Sequence, residues 1–287
     1  MTIDNKVLAC VDQSAYADHV TDYAAWAAQR MAAPLELLHV IDRHPETSLS
    51  KDHSGSLTPN AQEHLLGELA EADEARTKAA REQGRLFLNR LRERALAAGV
   101  MTVDVRQRMG HLDETLHEQQ AGVRLFVLGR RGESANNTQR DLGRNVERVV
   151  RALDRPILTV TEGFKAPERV LIAFDGSSIT RRGVEMVAAS PLFQGLPVHV
   201  LMSGKASQDG PKQMAWATET LESAGYGVVG EIVPGDPETT IAQAIQSKGI
   251  DLLVMGAYTH SPLRSLFVGS RTTDLLRSAR IPTLLLR

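Results

Sequence analysis

Short apolar runs alternate with amphipathic stretches from one end of the chain to the other. Lys6-Val-Leu-Ala-Cys-Val-Asp12 is apolar enough for a strand buried on both faces. Asp18 to Met31 then returns Val20, Tyr23, Ala24 and Ala27 at three- and four-residue intervals, the period of a helix packed on a sheet. Pro34 to Ile41, Met101 to Arg108, Arg124 to Gly129 and Pro156 to Val160 read as four further strands. The pattern between them predicts a long helix over Glu63 to Ala98, with Gly84 as the place for a break or bend. Shorter helices follow over Asp113 to Gln120 and Asn145 to Leu153. Arg43 to Asn60 is polar, shows no period and reads as an exposed loop. Alternating strands and helices are most economically buried as a parallel sheet with right-handed crossovers.

After a short linker, Glu162 to Glu168, the pattern restarts. Arg169-Val-Leu-Ile-Ala-Phe-Asp175 repeats Lys6 to Asp12, aspartate on aspartate at an offset of 163, and Pro197-Val-His-Val repeats Pro34-Leu-Glu-Leu at the same offset. Gly129 and Gly256 agree at a smaller offset of 127, because the second copy, with Lys212 to Ala224 as its middle helix, lacks the long polar loop and extended helix of the first. Ile250 to Gly256 and Pro282 to Leu286 read as its late strands, with a helix over Arg271 to Arg280 between them. Two diverged copies of one α/β unit follow, over residues 1–162 and 168–287.

Composition narrows the function classes. A length of 287 residues and 42% apolar content suffice for two domains with their own cores. A net charge of −2 provides no basic excess for nucleic acid, and 4% aromatic content offers few platforms for stacking bases. The single cysteine, Cys10, excludes an internal disulfide and reads as a buried, inert thiol. His44, His53 and His64 show no ligand spacing, so no metal site is expected from them. The N-terminus lacks the apolar core of a signal peptide and no run reaches the length of a membrane span, so a cytoplasmic protein without membrane contact is expected.

Gly256-Ala-Tyr-Thr259, then nine residues, then Gly269-Ser270 resembles the G-x2-G-x9-G-[S/T] loop of ATP-binding universal stress proteins, with Thr259 standing where the second glycine belongs. A β-carbon there faces the place where backbone approaches phosphate. In the first copy Gly129-x2-Gly132 is intact, but ten residues precede Gly143 and Arg144 replaces the serine or threonine. With the repeat, the resemblance covers nearly the whole chain and is that of a tandem universal stress protein. It implies an α/β fold of two tandem open five-stranded parallel sheets, order 3-2-1-4-5, with helices on both faces, of the adenine-nucleotide alpha-hydrolase-like kind. It also implies an intramolecular pairing of the two units through their final strands, Pro156 to Val160 and Pro282 to Leu286, which has a separate motive in covering strand edges.

In open parallel sheets ligands bind beyond the carboxyl ends of the strands where strand order reverses. In the second copy that crevice would be lined by Asp175, Gly176, Met202, Ser203, Met255, Gly256, Thr259, Gly269, Ser270, Arg271 and Thr272. The resemblance implies ATP or AMP as ligand, with Mg as an accompanying ion. The aspartate would lie near ribose, phosphate or metal, the backbone around Met202 at adenine, and the Gly269-Ser270 helix start at phosphate. Each also has an ordinary structural explanation: Asp175 as a cap, Met202 as core, Ser270 as the cap of its own helix. Asp12, Gly129, Gly132 and Gly143 are the first copy's counterparts. Arg130, Arg131, Arg140 and Arg144 around them form either an anion-attracting cluster or a hydrated loop.

Little or no catalysis is expected, at most weak ATP hydrolysis, because neither a G-x-S-x-G elbow nor a P-loop lysine is present. The leading expectation is a nucleotide-binding stress-response protein acting mainly through the second copy. The alternatives are a nucleotide-free pseudo-dimeric scaffold acting through protein partners and an adenylating or hydrolytic enzyme. Further association into a homodimer is compatible with each.

Overall fold

Each copy contributes five strands, and all ten hydrogen-bond into one sheet. The computed structural model describes residues 5–41, 59–130, 144–204, 208–257 and 281–287. The first half runs β1 (Lys6–Cys10), α1 (Ala17–Arg30), β2 (Leu35–Ile41), α2 (Pro59–Ala97), β3 (Val103–Met109), α3 (Leu112–Gln119), β4 (Val123–Gly129), α4 (Arg144–Ala152) and β5 (Ile157–Val160). The second runs β6 (Val170–Ala173), α5 (Ser178–Ala189), β7 (Val198–Gly204), α6 (Gly210–Ser223), β8 (Val228–Pro234), α7 (Pro237–Lys248), β9 (Leu252–Gly256) and β10 (Thr283–Leu286). The segment expected to be a helix over Arg271 to Arg280 lies outside the described residues, as do residues 43–58 of the polar loop.

The strand order is β3-β2-β1-β4-β5-β10-β9-β6-β7-β8, so each half keeps the order 3-2-1-4-5. The halves meet through their final strands, the segments expected to pair, and so form one sheet. β5 and β10 pair antiparallel, with Thr283 opposite Thr159 and Leu284 opposite Leu158, while every other ladder is parallel. The physical reason is that β5 and β10 would each end a five-stranded sheet with a row of unpaired backbone groups, and joining them satisfies both rows.

Two apolar layers sandwich this sheet. One holds Val7, Leu37, Val127, Ile172, Val200 and Leu284 against α1, α2, α5 and α6. The other holds Leu8, Phe126, Leu171, Leu253 and Leu285 against α3, α4 and α7. Both layers run across the junction because strand residues alternate between faces and the antiparallel register preserves that alternation.

Two local features correct the expectations. α2 begins at Pro59, inside the stretch read as loop, where proline's fixed φ suits a first helical position. It also passes through Gly84 without ending. A β-carbon at Gly84 would stand 2.2 Å from Gln107 Nε2 and 3.2 Å from the His39 ring, so the glycine lets α2 lie close on β2 and β3. α7 carries its boundaries in plain form: Asp236 accepts from the Thr239 N–H at 3.0 Å, Pro237 follows, and Gly249 closes the helix at φ 60°.

Candidate functional site

β7 lies beside β6 on one side and β10 beside β9 on the other, so strand order reverses between β6 and β9, and the crevice in which open parallel sheets take ligands falls beyond their carboxyl ends. Asp175 and Gly176 lie on the loop after β6. Asp175 Oδ1 accepts the Ser177 N–H at 2.9 Å and the Thr180 hydroxyl at 2.7 Å, and Ser177 Oγ in turn accepts the Thr180 N–H at the start of α5. Burial works against the carboxylate, but the hydrogen bonds from Ser177 and Thr180 outweigh it and hold the carboxyl below its ordinary range. Asp175 is therefore an ionised group with a structural duty, fixing the loop that borders the crevice.

Gly176 has φ 75°, in the left-handed region. A β-carbon there would run into the side chain of Gln213, which reaches over from α6. Arg181 reinforces the same contact, donating from Nε to the Gly176 carbonyl at 3.3 Å while its guanidinium lies 4.5 Å above the Trp216 ring. Phe174 stacks on Trp216 at 6.3 Å. α5 and α6 are thereby tied to this loop. Gln213, Arg181 and Trp216 were not foreseen, and no spacing rule points to them, since each is brought in by helix packing.

Met202 and Met255 are buried, in opposite apolar layers, so their side chains are core and only the backbone near them borders the crevice. Ser203 and Gly204, half-buried, follow Met202 at the rim. Gly256 ends β9, and a β-carbon on it would press on Ile179 at 3.1 Å. Thr259, Gly269, Ser270, Arg271 and Thr272 lie outside the described residues, as do Gly132 and Gly143 of the first half.

In the first half Asp12 accepts from the Ser14 N–H at 3.2 Å and from its hydroxyl, the same local device as at Asp175. The residue after Gly129 departs from expectation. Arg130 is not a hydrated loop residue: it is 6% exposed and donates to the Ile281 carbonyl at 3.1 Å, at the foot of β10. The antiparallel junction puts the carboxyl end of β4 and β5 beside the start of β10, so this arginine ties one half to the other. A cavity of about 140 Å³ also opens at the seam, lined by Met31, Leu125, Met186 and Leu284, with none of the expected site residues in its wall. Among the described residues no three His, Cys, Asp or Glu side chains gather as a metal site, and no helix is long and apolar enough to cross a membrane.

Known proteins bear on this arrangement. The sequence matches the Universal stress protein family twice, over residues 5–161 and 167–287. It is 33% identical over 286 residues to Universal stress protein Slr1230 of Synechocystis sp., covering 98% of this chain and 99% of that one. Universal stress protein MJ0577 of Methanocaldococcus jannaschii is 24% identical over 86 residues, 30% of this chain and 53% of its own. The crystal structure of a universal stress protein from Archaeoglobus fulgidus superimposes with a TM-score of 0.73 at 18% identity, covering 99% of this chain and 96% of the other.

Proposed function

The chain belongs to the universal stress protein family, and from that premise we propose that it is a cytoplasmic stress-response protein that binds an adenine nucleotide, ATP or AMP, mainly through its second half and with little or no catalysis. The observation that carries this reading is the loop after β6: an ionised Asp175, held by Ser177 and Thr180 at the mouth of the switch-point crevice, beside the left-handed Gly176. In this reading residues 1–162 and 168–287 are the two units. Asp175 and Gly176 border ribose and phosphate, the backbone at Met202 and Met255 borders adenine, and Gly256, Thr259, Gly269, Ser270, Arg271 and Thr272 form the phosphate loop. A Mg ion would neutralise phosphate charge beside Asp175. Asp12, Gly129, Gly132 and Gly143 frame a weaker counterpart, its charge diminished by Arg130 turning to the seam.

Mass spectrometry of ligand released from freshly purified protein, with calorimetric titration of ATP and AMP, tests it. Saturable heat near one nucleotide per chain, lost in Ser270→Arg, is expected, and a silent wild type overturns it. One observation favours a second reading, the nucleotide-free scaffold: Gln213 occupies the space beside Gly176. Gln213→Ala separates the two. If Gln213 merely borders the ligand, wild type and variant both bind; if it closes the crevice, only the variant does.

A further inference from the structure

Among the described residues, six large apolar side chains stand exposed, and three of them, Val229 (47%), Ile232 (41%) and Val233 (37%), belong to β8. Among the described residues β8 is the last strand of the sheet, with β7 on one side and no strand on the other. The Val198 N–H donates to the Gly227 carbonyl and the Gly235 N–H to the Gly204 carbonyl, in a register that sets Val198 opposite Val228 and Gly204 opposite Pro234. Alternate residues of a parallel ladder turn their N–H and C=O to the same neighbour. Val229, Glu231 and Val233 thus turn theirs to β7, and Val228, Gly230 and Ile232 turn theirs outward. Pro234 falls in the outward set, where its missing N–H costs β7 nothing.

The opposite end of the sheet is protected differently. Asp104, Arg106 and Arg108 of β3 occupy the ladder places of Val229, Glu231 and Val233, and α2 covers its other face. Charged side chains on an edge oppose pairing, and apolar ones invite it. The chain already joins one such pair of edges, at β5 and β10.

We propose that β8 pairs antiparallel with β8 of a second copy of this chain, extending the sheet across a twofold axis at Gly230. The sequence selects that register. An axis at Glu231 would set Glu231 against Glu231 of the second copy and put Pro234, which has no N–H, opposite Val228. An axis at Gly230 uses the outward N–H groups of Val228, Gly230 and Ile232, sets Val228 beside Ile232 of the second copy on the α6 face, and sets Val229 beside Glu231 of the second copy on the α7 face. Met214 and Thr218 of α6 already fill the space beside Gly230, approaching within 2.9 and 2.7 Å of where its β-carbon would be, so glycine serves the axis without leaving a gap. The proposal is independent of nucleotide binding.

Sedimentation velocity of the full chain over a micromolar series is expected to show the mass rising from 31.3 kDa toward twice that value. Ile232→Pro deletes an N–H that the chain's own ladder does not use, and is expected to weaken the dimer about tenfold or more with the thermal midpoint retained. Should Ile232→Pro disturb folding, Val229→Glu serves instead, because it opposes Glu231 of the second copy from an exposed position. In the proposed register Val229 and Glu231 of the second copy form a non-hydrogen-bonded pair with Cα atoms about 4.5 Å apart, within disulfide reach. A chain carrying both Val229→Cys and Glu231→Cys should therefore oxidise to a covalent dimer, without competition from the buried Cys10. A mass fixed at 31.3 kDa, a dimer indifferent to Ile232→Pro and Val229→Glu, or failure of the double cysteine chain to link overturns the proposal.

Discussion

The two halves carry the same strand order and opposite solutions to the same charge problem. In the first, Glu36 of β2 is buried between Lys6 at 2.9 Å and Arg106 at 3.6 Å. In the second, His199 takes the place of Glu36 and the carboxylate moves one strand outward to Glu231, which pairs with Lys248 of α7 at 2.7 Å. The backbone survives the exchange because strand order rests on what both halves share, apolar residues at the same ladder positions in two continuous layers. Charges near a sheet edge can be relocated, since partners there come from several elements. The seam tolerates much less, because β5 and β10 each pair the other's otherwise open edge.

If the seam unites the halves, damage to it should be felt by both. Leu158 and Leu284 face each other across β5 and β10, each almost fully buried. Leu158→Ala is expected to cost about 3 kcal/mol by lost burial and cavity formation, and to lower one common unfolding transition followed by circular dichroism in denaturant. Two separate transitions in the wild type would break the picture of one cooperative sheet. Arg130→Ala should follow at about 2 kcal/mol, since it leaves the Ile281 carbonyl without a charged donor. Its counterpart in the second half, Ala257, is buried and donates its backbone N–H to the Leu286 carbonyl. Arg130→Met keeps most of the side chain's bulk without the donor, so a loss as large as that of Arg130→Ala places the effect in the hydrogen bond, and a much smaller one places it in packing.

Most of the strands were legible because burial on both faces leaves a continuous apolar run, as in Leu252–Gly256. The repeat was legible because Asp12 and Asp175 have the same local task, binding the first N–H groups of the following turn. β8 left a weaker trace: half-exposed and interrupted by Gly230, it shows neither a continuous run nor a clean alternation. The direction of Arg130 was illegible for another reason. Its partner, Ile281, is 151 positions away and arrives only because two strands pair antiparallel, so sequence spacing reports a loop arginine and nothing more. Gln213 beside Gly176 is the same case within the site, placed by the approach of α6 and by no motif.

The smallest expected effect separates the two charge arrangements by pH. Burial disfavours the charged imidazole of His199, Lys248 and Arg169 add repulsion, and Glu231 offsets only part of it, so the histidine titrates below its usual value of 6.5. A lowered folded-state pKa means that the unfolded chain takes up the proton first as pH falls. The stabilisation from a neutral His199 is therefore complete above the unfolded value and is lost as pH drops through it toward the folded one. Denaturant midpoints taken between about pH 7.5 and 5.5 should fall, by less than either seam substitution, because His199 is only partly buried. His199→Gln should flatten that decline, since glutamine keeps polar contacts without titrating. Glu36→Gln in the first half serves as the control, because it leaves His199, Lys248, Arg169 and Glu231 in place. A slope that persists in His199→Gln would place the pH sensitivity outside the second half's charge arrangement, and the contrast between the halves would then be one of geometry alone.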